Sequence, residues 1–384
     1  MNKIKIMHLI HGLNTGGAET LTKSYMLNFN RERYDVVLLC INHDKESPYE
    51  EELSRAGVNV IYAQDYLLLR GKNGFFAKTI NYPCKFLIVK WIIWKERPDI
   101  LHVHLHANSF VKRARLNKNI SLFYTVHSEP RVLWSNNDTR KRNDFWAAKW
   151  LTRHRGMRFI VLHEKMGAEI NKLFGVTDSI ILNNGVDVDR IEHARLTKEV
   201  RMELNIPESA FVLGHVGRFS EVKNHTFLVD VFIDTYGKNK NAFLLMIGDG
   251  PDKNKIIERL DKNGLKGKYL ILSNRDDIPD LLSAMDVFVF PSLYEGLPLS
   301  LIEAQVAKKI CFVSDSVNGH ASISNLVTRL SLDDGAEKWA DAILSYKKPK
   351  KIVVNDEDWD IKKITKKLEQ IYLDALAERR NGKK

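Results

Sequence analysis

Short apolar runs recur along the chain and alternate with longer segments in which hydrophobic residues follow helical spacing. Each run is rich in Ile, Val, Leu and Phe and is bounded by turn-forming residues, which is typical of a buried β-strand. In chain order the predicted strands are Lys3–His8, Asp35–Asn42, Val58–Tyr62, Ile100–His106, Ser121–Val126, Arg158–His163, Ile180–Leu182, Phe211–Val216, Phe243–Ile247, Tyr269–Leu272, Asp286–Phe290 and Phe312–Asp315. Strands that alternate with helices form parallel sheets covered on both faces. The pattern therefore predicts an α/β protein.

The length of the chain indicates two such domains, because 384 residues exceed what one hydrophobic core supports. Asn183-Asn184-Gly185-Val186-Asp187 has the composition of a turn and lies near the middle. We predict two Rossmann-like, doubly wound domains over residues 1–182 and 183–358. The segment 359–384 is predicted to be an amphipathic closing helix.

Charge is concentrated in the first half of the chain. The net charge is +11, yet residues 66–160 alone hold 19 Lys/Arg against 5 Asp/Glu, a local balance of +14. A predicted helix over Phe75–Arg97 carries Phe75, Phe76, Trp91 and Trp94 among lysines that include Lys78. Nucleic acid, an anionic membrane surface and a phosphorylated substrate would all suit this region, and so would a solvated basic surface without a partner.

The chain starts without a signal-peptide pattern, and no apolar run reaches the ~18 residues of a membrane span. Cys40, Cys84 and Cys311 lack CxxC spacing and suggest buried thiols in a reducing compartment. We therefore expect a cytoplasmic protein.

Two loops in the second half carry candidate chemistry. Gly217 and Arg218 follow the strand Phe211–Val216, and Lys223 lies five residues further on. Glycine permits close approach of a ligand, and two cations past a strand end suit a diphosphate. The alternative is a pair of ordinary surface charges.

The second loop follows the strand Asp286–Phe290. The backbone N–H groups of Gly296, Leu297 and Leu299 are predicted to face an anion at the start of a helix, with Pro298 in its first position. Glu295 and Glu303 flank this turn, and a carboxylate can accept hydrogen bonds from paired sugar hydroxyls. The spacing alone does not separate this role from that of solvated acids.

In the first half, Gly16 and Gly17 follow the first strand and open a helix, where a phosphate is attracted. The spacing is not GxGxxG, so a nicotinamide site is not expected. His127 ends the strand Ser121–Val126 and is predicted to point into a ligand crevice, or to be a hydrogen-bonded structural histidine. His102, His104 and His106 are predicted to share one strand face, but no Cys or carboxylate completes a zinc site there.

The motif Ser292-x-x-Glu295-Gly296-x-Pro298, followed by Glu303-Ala304, resembles the signature of retaining GT-B-fold glycosyltransferases of family 4. The run from Asp286 to Gln305 is similar to bacterial exopolysaccharide and capsule glycosyltransferases. The resemblance implies that the two domains face each other across a cleft and that the closing helix returns to the N-terminal domain.

The same resemblance assigns roles to individual residues. It implies that Gly16 and Gly17 lie between the donor phosphates and the acceptor, that His127 touches the transferred sugar, and that Arg218 and Lys223 bind the diphosphate. Two features depart from the family pattern, because Ser273 stands where glycine is usual and Ala307-Lys308-Lys309 replaces a Gly-x-Pro.

The sequence therefore predicts a hexosyl- or N-acetylhexosaminyltransferase of the EC 2.4 class. Its donor would be a nucleotide sugar, with UDP as the expected nucleotide, Glu303 on the ribose and Glu295 on the sugar. Its acceptor would be a lipid-diphosphate-linked saccharide at the inner face of the membrane, and no nucleic acid is expected as partner. Retention of configuration is what the family resemblance implies.

No cofactor or metal is expected. Asp187-Val188-Asp189 imitates the Asp-x-Asp metal motif of GT-A enzymes but lies in a linker-like turn. A nucleotide-sugar epimerase of the same architecture and a non-catalytic partner subunit are the alternatives.

Overall fold

The structure, a computed structural model, describes residues 3–14, 16–43, 47–69, 75–134 and 138–381. Thr15, in the first glycine loop, lies outside the described residues, and so do the side chains of residues 75–78, which include Phe75, Phe76 and Lys78. The chain divides into two compact units. Unit 1 comprises Met1–Gly185 and Ile361–Lys384, and unit 2 comprises Val186–Asp360.

Each unit is built around a parallel sheet. The described strands of unit 1 are β1 (Ile4–Ile10), β2 (Tyr34–Cys40), β3 (Asn59–Tyr62), β4 (Ile100–His104), β5 (Ser121–Thr125), β6 (Arg158–Val161) and β7 (Ile180–Ile181). They are ordered β3-β2-β1-β4-β5-β6-β7. Those of unit 2 are β8 (Phe211–Val216), β9 (Ala242–Ile247), β10 (Tyr269–Leu272), β11 (Val287–Phe290), β12 (Ile310–Ser314) and β13 (Val327–Leu330), ordered β10-β9-β8-β11-β12-β13.

Helices follow most of the strands. The α-helices of the described residues are α1 (Gly17–Asn28), α2 (Pro48–Arg55), α3 (Phe75–Glu96), α4 (Asn108–Ala114), α5 (Pro130–Leu133), α6 (Thr139–Arg155), α7 (Glu164–Phe174), α8 (Val188–Glu192), α9 (Thr197–Glu203), α10 (His225–Lys238), α11 (Lys253–Lys262), α12 (Ile278–Ser283), α13 (Leu299–Val306), α14 (Gly335–Ser345) and α15 (Ile361–Asn381). The alternation confirms the predicted α/β class with two Rossmann-like domains.

The central strands supply most of each core. In unit 1, residues 6–10 of β1 and 36–40 of β2 are fully buried because helices cover both faces of a parallel sheet. In unit 2, Phe232 of α10 and Trp339 of α14 pack into the same core as Leu244 and Val289. The helix α15 belongs to unit 1 and buries Leu368 and Tyr372 there.

Several details differ from the sequence-based expectations. β4 ends at His104 because Leu105 has φ +54, a left-handed conformation that breaks the extended strand. His106 therefore does not share a strand face with His102 and His104, and that prediction was wrong. The helix α13 begins at Leu299, and Pro298 is its N-cap rather than its first residue. The edge strand β13 was not predicted.

The cysteines in the described residues are unpaired. Cys40 and Cys311 are buried and Cys84 is partly buried.

Candidate functional site

The strand order of unit 2 reverses between β8 and β11, which lie side by side and run parallel. Chain connections from these two strands leave in opposite directions, and this topological switch point is where α/β sheets bind ligands. The loop after β8 carries Gly217, Arg218 and Lys223, and the loop after β11 carries Glu295 and Gly296. The fold therefore brings the two predicted loops to one edge of the same sheet.

The first loop is clamped to the turn that follows β9. The N–H of Gly217 donates to the carbonyl of Ile247 (2.9 Å), and that of Phe219 donates to the carbonyl of Asp249 (2.9 Å). A Cβ on Gly248 would lie 2.0 Å from the Gly217 carbonyl oxygen, so only glycine allows this close approach. Phe219 is fully buried and anchors the loop, while Arg218 beside it is exposed. The cation is thus held on a fixed backbone.

Lys223 and Glu295 form an ion pair across the two loops. Lys223 Nζ lies 2.7 Å from Glu295 Oε1, and each side chain is 16% exposed. The Lys223 ammonium also lies 4.5 Å from the centroid of the Phe290 ring. The N–H of Leu293 donates to the carbonyl of Val222 (2.8 Å), which ties the loop backbones together. Two residues predicted to hold different parts of a ligand are therefore direct neighbours.

The helix α13 begins immediately after these loops. The amides that begin a helix have no preceding turn to donate to and present a partial positive charge, and in α13 these are the N–H groups of Leu299 and Ser300. Leu297 and Leu299 are buried and fix the start of the helix against the core. Glu303 is partly buried and lies four residues after Leu299, one turn along on the same face. The arrangement combines two cations, a helix N-terminus and two carboxylates.

Ser273, the departure from the family pattern, has a defined structural role. Its hydroxyl donates to the carbonyl of Gly248 (2.8 Å) and accepts from Lys253 Nζ (2.7 Å). These bonds support the same turn that clamps the Arg218 loop. Asp187 has a structural role as well, because its Oδ1 accepts from the N–H of Arg190 (3.0 Å) and caps α8.

In unit 1, Gly16 and Gly17 lie where β1 passes into α1, with Gly16 as the N-cap residue. The carbonyl of Gly16 accepts from the Thr20 hydroxyl (2.9 Å). A Cβ on Gly17 would meet no atom within 4 Å among the described residues, so protein packing does not require glycine there.

His127 follows β5 at the carboxyl edge of the unit 1 sheet. Its Nε2 lies 2.9 Å from His104 Nδ1, and His104 Nε2 lies 2.9 Å from His8 Nδ1. Burial lowers the pKa of His127 and of His8 to about 3, and lowers that of His104 well below its ordinary value. The rings are therefore neutral near pH 7.

The sequence reasoning missed that His8 and Tyr372 belong to the hydrogen-bonded cluster that reaches His127 through His104. His8 pairs in register with His102 across β1 and β4, a contact that spans 94 residues of chain. The indication in the sequence was a histidine within the apolar run at residues 6–10 of β1. His106, by contrast, lies 3.8 Å from Asp144, outside this cluster.

Comparison with known proteins gives two family matches. Residues 15–190 match the profile described as Glycosyltransferase Family 4, and residues 197–368 match that described as Glycosyl transferases group 1.

Similar proteins include the putative glycosyltransferase EpsF of Bacillus subtilis, 28% identical, with 88% of this chain and 86% of the relative covered. The UDP-Gal:alpha-D-GlcNAc-diphosphoundecaprenol alpha-1,3-galactosyltransferase of Escherichia coli is 27% identical, with 83% and 81% covered. The capsular polysaccharide biosynthesis glycosyltransferase CapH of Staphylococcus aureus is 26% identical, with 96% and 99% covered.

Among solved structures, HepE from Anabaena in complex with UDP and glucose has a TM-score of 0.70 at 14% identity, with 99% of both chains covered. Sucrose-phosphate synthase from Thermosynechococcus elongatus has a TM-score of 0.74 at 16% identity, with 98% and 100% covered. These likenesses concern the fold. Taken together with the two family matches and the two parallel sheets, they identify this chain as a GT-B-fold glycosyltransferase of the family 4 type, an enzyme related to exopolysaccharide and capsule glycosyltransferases.

Proposed function

We propose that the enzyme transfers a sugar from a UDP-linked donor to a lipid-diphosphate-linked saccharide, with retention, during exopolysaccharide or capsule biosynthesis. The observation that carries the donor half is the meeting of Lys223, Glu295 and the α13 N-terminus at the switch point of unit 2, with exposed Arg218 on the adjoining loop. Cations and helix amides suit a diphosphate, and carboxylates suit the hydroxyls of ribose and hexose.

When the sugar leaves, negative charge grows on the diphosphate. In this mechanism Arg218, Lys223 and the first-turn amides of α13 stabilise that charge, and they are fixed before the reaction because their loops are clamped. Glu303 holds the ribose. No metal or cofactor takes part, since the fixed cations perform the task that a metal performs in GT-A enzymes.

Glu295 has a second task in the proposed reaction. Without a donor its carboxylate neutralises Lys223 at 2.7 Å, which keeps a largely buried ammonium paired. Once the diphosphate occupies the site, the phosphate oxygens supply the negative charge. Glu295 can then accept hydrogen bonds from the sugar hydroxyls.

His127 and the loop of Gly16 and Gly17 form the unit 1 contribution. As a neutral imidazole, His127 offers one hydrogen bond to a sugar oxygen without adding charge. The open space around a Cβ at Gly17 is consistent with a backbone that a ligand approaches.

The acceptor proposal draws on the relatives and on one exposed surface. The Escherichia coli relative is named for a diphosphoundecaprenol-linked substrate. In unit 1, α3 buries Phe86, Val89, Ile92 and Ile93 but exposes Leu87 (68%) and Trp94 (67%). We call Leu87, Lys90, Trp91, Trp94 and Lys95 the α3 face.

Apolar and cationic side chains on one helix surface suit the anionic lipid boundary at which a lipid-linked acceptor resides. No described helix combines the length and apolarity needed to cross a bilayer. We therefore place the enzyme peripherally on the inner face of the membrane.

Thermal-shift measurements against a panel of nucleotides and nucleotide sugars test the donor, because a ligand that binds the native state raises its stability. We expect UDP and one UDP-sugar to raise Tm, and transfer to a lipid-diphosphate-linked saccharide to follow with that donor. Donor turnover without any acceptor would indicate the epimerase instead. Donor binding without transfer to any acceptor would indicate a non-catalytic subunit, and no shift with any nucleotide would contradict the proposal.

A further inference from the structure

A continuous chain of hydrogen bonds runs through the interior of unit 1 and ends at His127. It joins strands β1, β4 and β5 to the closing helix α15. The successive contacts are Thr125 Oγ1 to His102 Nε2 (2.6 Å), His102 Nδ1 to Tyr372 Oη (2.5 Å), Tyr372 Oη to His8 Nε2 (3.1 Å), His8 Nδ1 to His104 Nε2 (2.9 Å) and His104 Nδ1 to His127 Nε2 (2.9 Å).

The members before His127 are removed from solvent. His8, His102, His104 and Tyr372 have no exposed surface, and Thr125 is 3% exposed. Both ring nitrogens of each buried histidine are used within the chain. A neutral imidazole has one N–H and one bare nitrogen, so the position of one proton decides the positions of all the others. If Tyr372 accepted from both His102 and His8, its own buried proton would have no acceptor, which is as costly as any unpaired buried donor. Two orders therefore remain in which the histidines and Tyr372 all pair their protons.

Thr125 at the inner end selects between the two orders. Within the part of the chain that the structure describes, the Thr125 hydroxyl has one hydrogen-bond partner, His102. If that oxygen accepted from His102, its own proton would be buried without an acceptor, at a cost of about 1–3 kcal/mol. If it donates, only a lone pair is left over. Thr125 therefore donates, and each histidine in turn carries its proton on Nδ1.

We propose that the chain set by Thr125 and linked through Tyr372 holds His127 in one orientation as its Nδ1–H tautomer. Tyr372 is then a positioning residue, which accepts from His102 and donates to His8. In the reaction proposed above, on which this last step rests, the Nδ1–H of His127 is a fixed donor to an oxygen of the sugar. A free histidine favours the other tautomer, so the assignment is distinctive.

The same histidines could be interpreted as a metal site, since nitrogen atoms of His8, His102 and His104 lie within 4.8 Å of one another. The hydrogen-bonded order accounts for more of the geometry. Tyr372 lies between two of the rings, and separations of 2.9 Å between ring nitrogens are those of a shared proton. A cation would need the lone pairs that these bonds already use.

The test uses the full chain without ligand, labelled with nitrogen-15 in histidine. Long-range proton–nitrogen spectra at pH 7 report the tautomer of each ring, and His127→Asn assigns the signal of His127. We expect Nδ1–H for His8, His102, His104 and His127. Tyr372→Phe removes the link between His102 and His8, and should convert His127 to a mixture with substantial Nε2–H.

Matched variants separate the chain from general packing. Thr125→Val should change the His127 tautomer, whereas Thr125→Ser keeps the hydroxyl and should restore it. Tyr25→Phe is the control, because Tyr25 is also buried and its ring lies 6.1 Å from that of His8, outside the chain. It should change nothing.

The proposal is overturned if wild-type His127 is Nε2–H or charged. It is also overturned if Tyr372→Phe and Thr125→Val, both folded by their thermal transitions, leave the tautomer unchanged, or if elemental analysis finds a stoichiometric metal whose removal alters these signals. None of these measurements needs substrate, so failure here is distinguishable from failure of the proposed transfer reaction.

Discussion

The two units share a parallel α/β architecture but place their polar side chains differently. Unit 1 keeps a linked set of neutral histidines inside its sheet layer and lets only His127 reach the edge. Unit 2 places Arg218, Lys223 and Glu295 in loops beyond the strand ends, where Lys223 and Glu295 form an ion pair and where the proposed donor would bind. Unit 1 thus links its uncharged histidines through its core, whereas unit 2 places its charged side chains in loops at the sheet edge.

This difference between the units first predicts that unit 1 loses stability more steeply than unit 2 as the pH decreases. The pKa of His8 and of His127 is about 3 and those of His102 and His104 are well below 6.5, because burial penalises the charged form. Unfolding restores a pKa near 6.5, so between about pH 6.5 and 3 the unfolded chain binds protons that the folded chain does not. Stability is therefore full above pH 6.5 and falls as the pH decreases, by up to about 1.4 kcal/mol per pH unit for each such histidine.

Unit 2 holds His215, with a pKa of about 3, and His225, with a pKa of about 2, so it should lose less. Hydrogen exchange at pH 7 and pH 5.5, corrected for intrinsic rates, should show a larger loss of protection in β1 and β4 than in β8 and β9 at the lower pH. His193→Ala, at a histidine with a 78% exposed side chain, should leave this dependence unchanged. An equal loss of hydrogen-exchange protection in both units would contradict this prediction.

The charged side chains in the unit 2 loops predict losses in reaction rate. A charged hydrogen bond contributes about 1.5–3 kcal/mol, so Arg218→Ala or Lys223→Ala should each reduce the initial rate roughly 10- to 150-fold. The double variant should lose less than the product, because both cations serve one diphosphate. Lys223→Ala should also lower Tm, since it leaves the partly buried Glu295 unpaired, whereas exposed Arg218 should not.

The same assay tests the absence of a metal. Wild-type rate should be unaffected by EDTA, and Asp187→Asn, which retains the capping oxygen of α8, should be active. Activity abolished by EDTA and restored by Mn²⁺, together with an inactive Asp187→Asn, would revive the Asp-x-Asp site.

A smaller contrast lies within unit 2, between its two carboxylates. Glu303→Ala should weaken binding of free UDP, because its proposed contact is to ribose. Glu295→Ala should spare free UDP, since it only releases Lys223 towards the phosphates, yet it should damage turnover. Calorimetry with UDP measures both variants, and equal loss of UDP affinity would show that the two roles are wrongly divided.

These contrasts also explain what the sequence could reveal. Most strands were predictable because each apolar run is local, although the edge strand β13 was not. The placement of the two unit 2 loops at one sheet edge was predictable because each loop follows its strand directly. The chain through Tyr372 was not, since His8, His102 and Tyr372 meet only when strands distant in sequence pair and α15 packs. His106 was misplaced for a local reason, the left-handed backbone of Leu105, which the alternating pattern does not record.

The smallest expected effect concerns the outer surface of unit 1. The α3 face exposes Leu87 and Trp94 beside Lys90 and Lys95, so it should bind anionic vesicles at low salt and release them at high salt. A basic residue near such a surface contributes about 1 kcal/mol, so Lys90→Ala should weaken binding roughly 5-fold. The double variant Leu87→Ser with Trp94→Ser should weaken vesicle binding further, because it removes the apolar area that would be buried in the lipid interface.

The matched control is Leu196→Ser in unit 2, where the leucine is equally exposed (69%) but lies outside the basic region of the chain. It should leave vesicle binding unchanged. Co-sedimentation with neutral and anionic vesicles across a salt series measures all four proteins. Equal pelleting with both vesicle types, or equal loss in the Leu196 variant, would mean that the α3 face is an ordinary solvated surface and would contradict the proposed peripheral attachment.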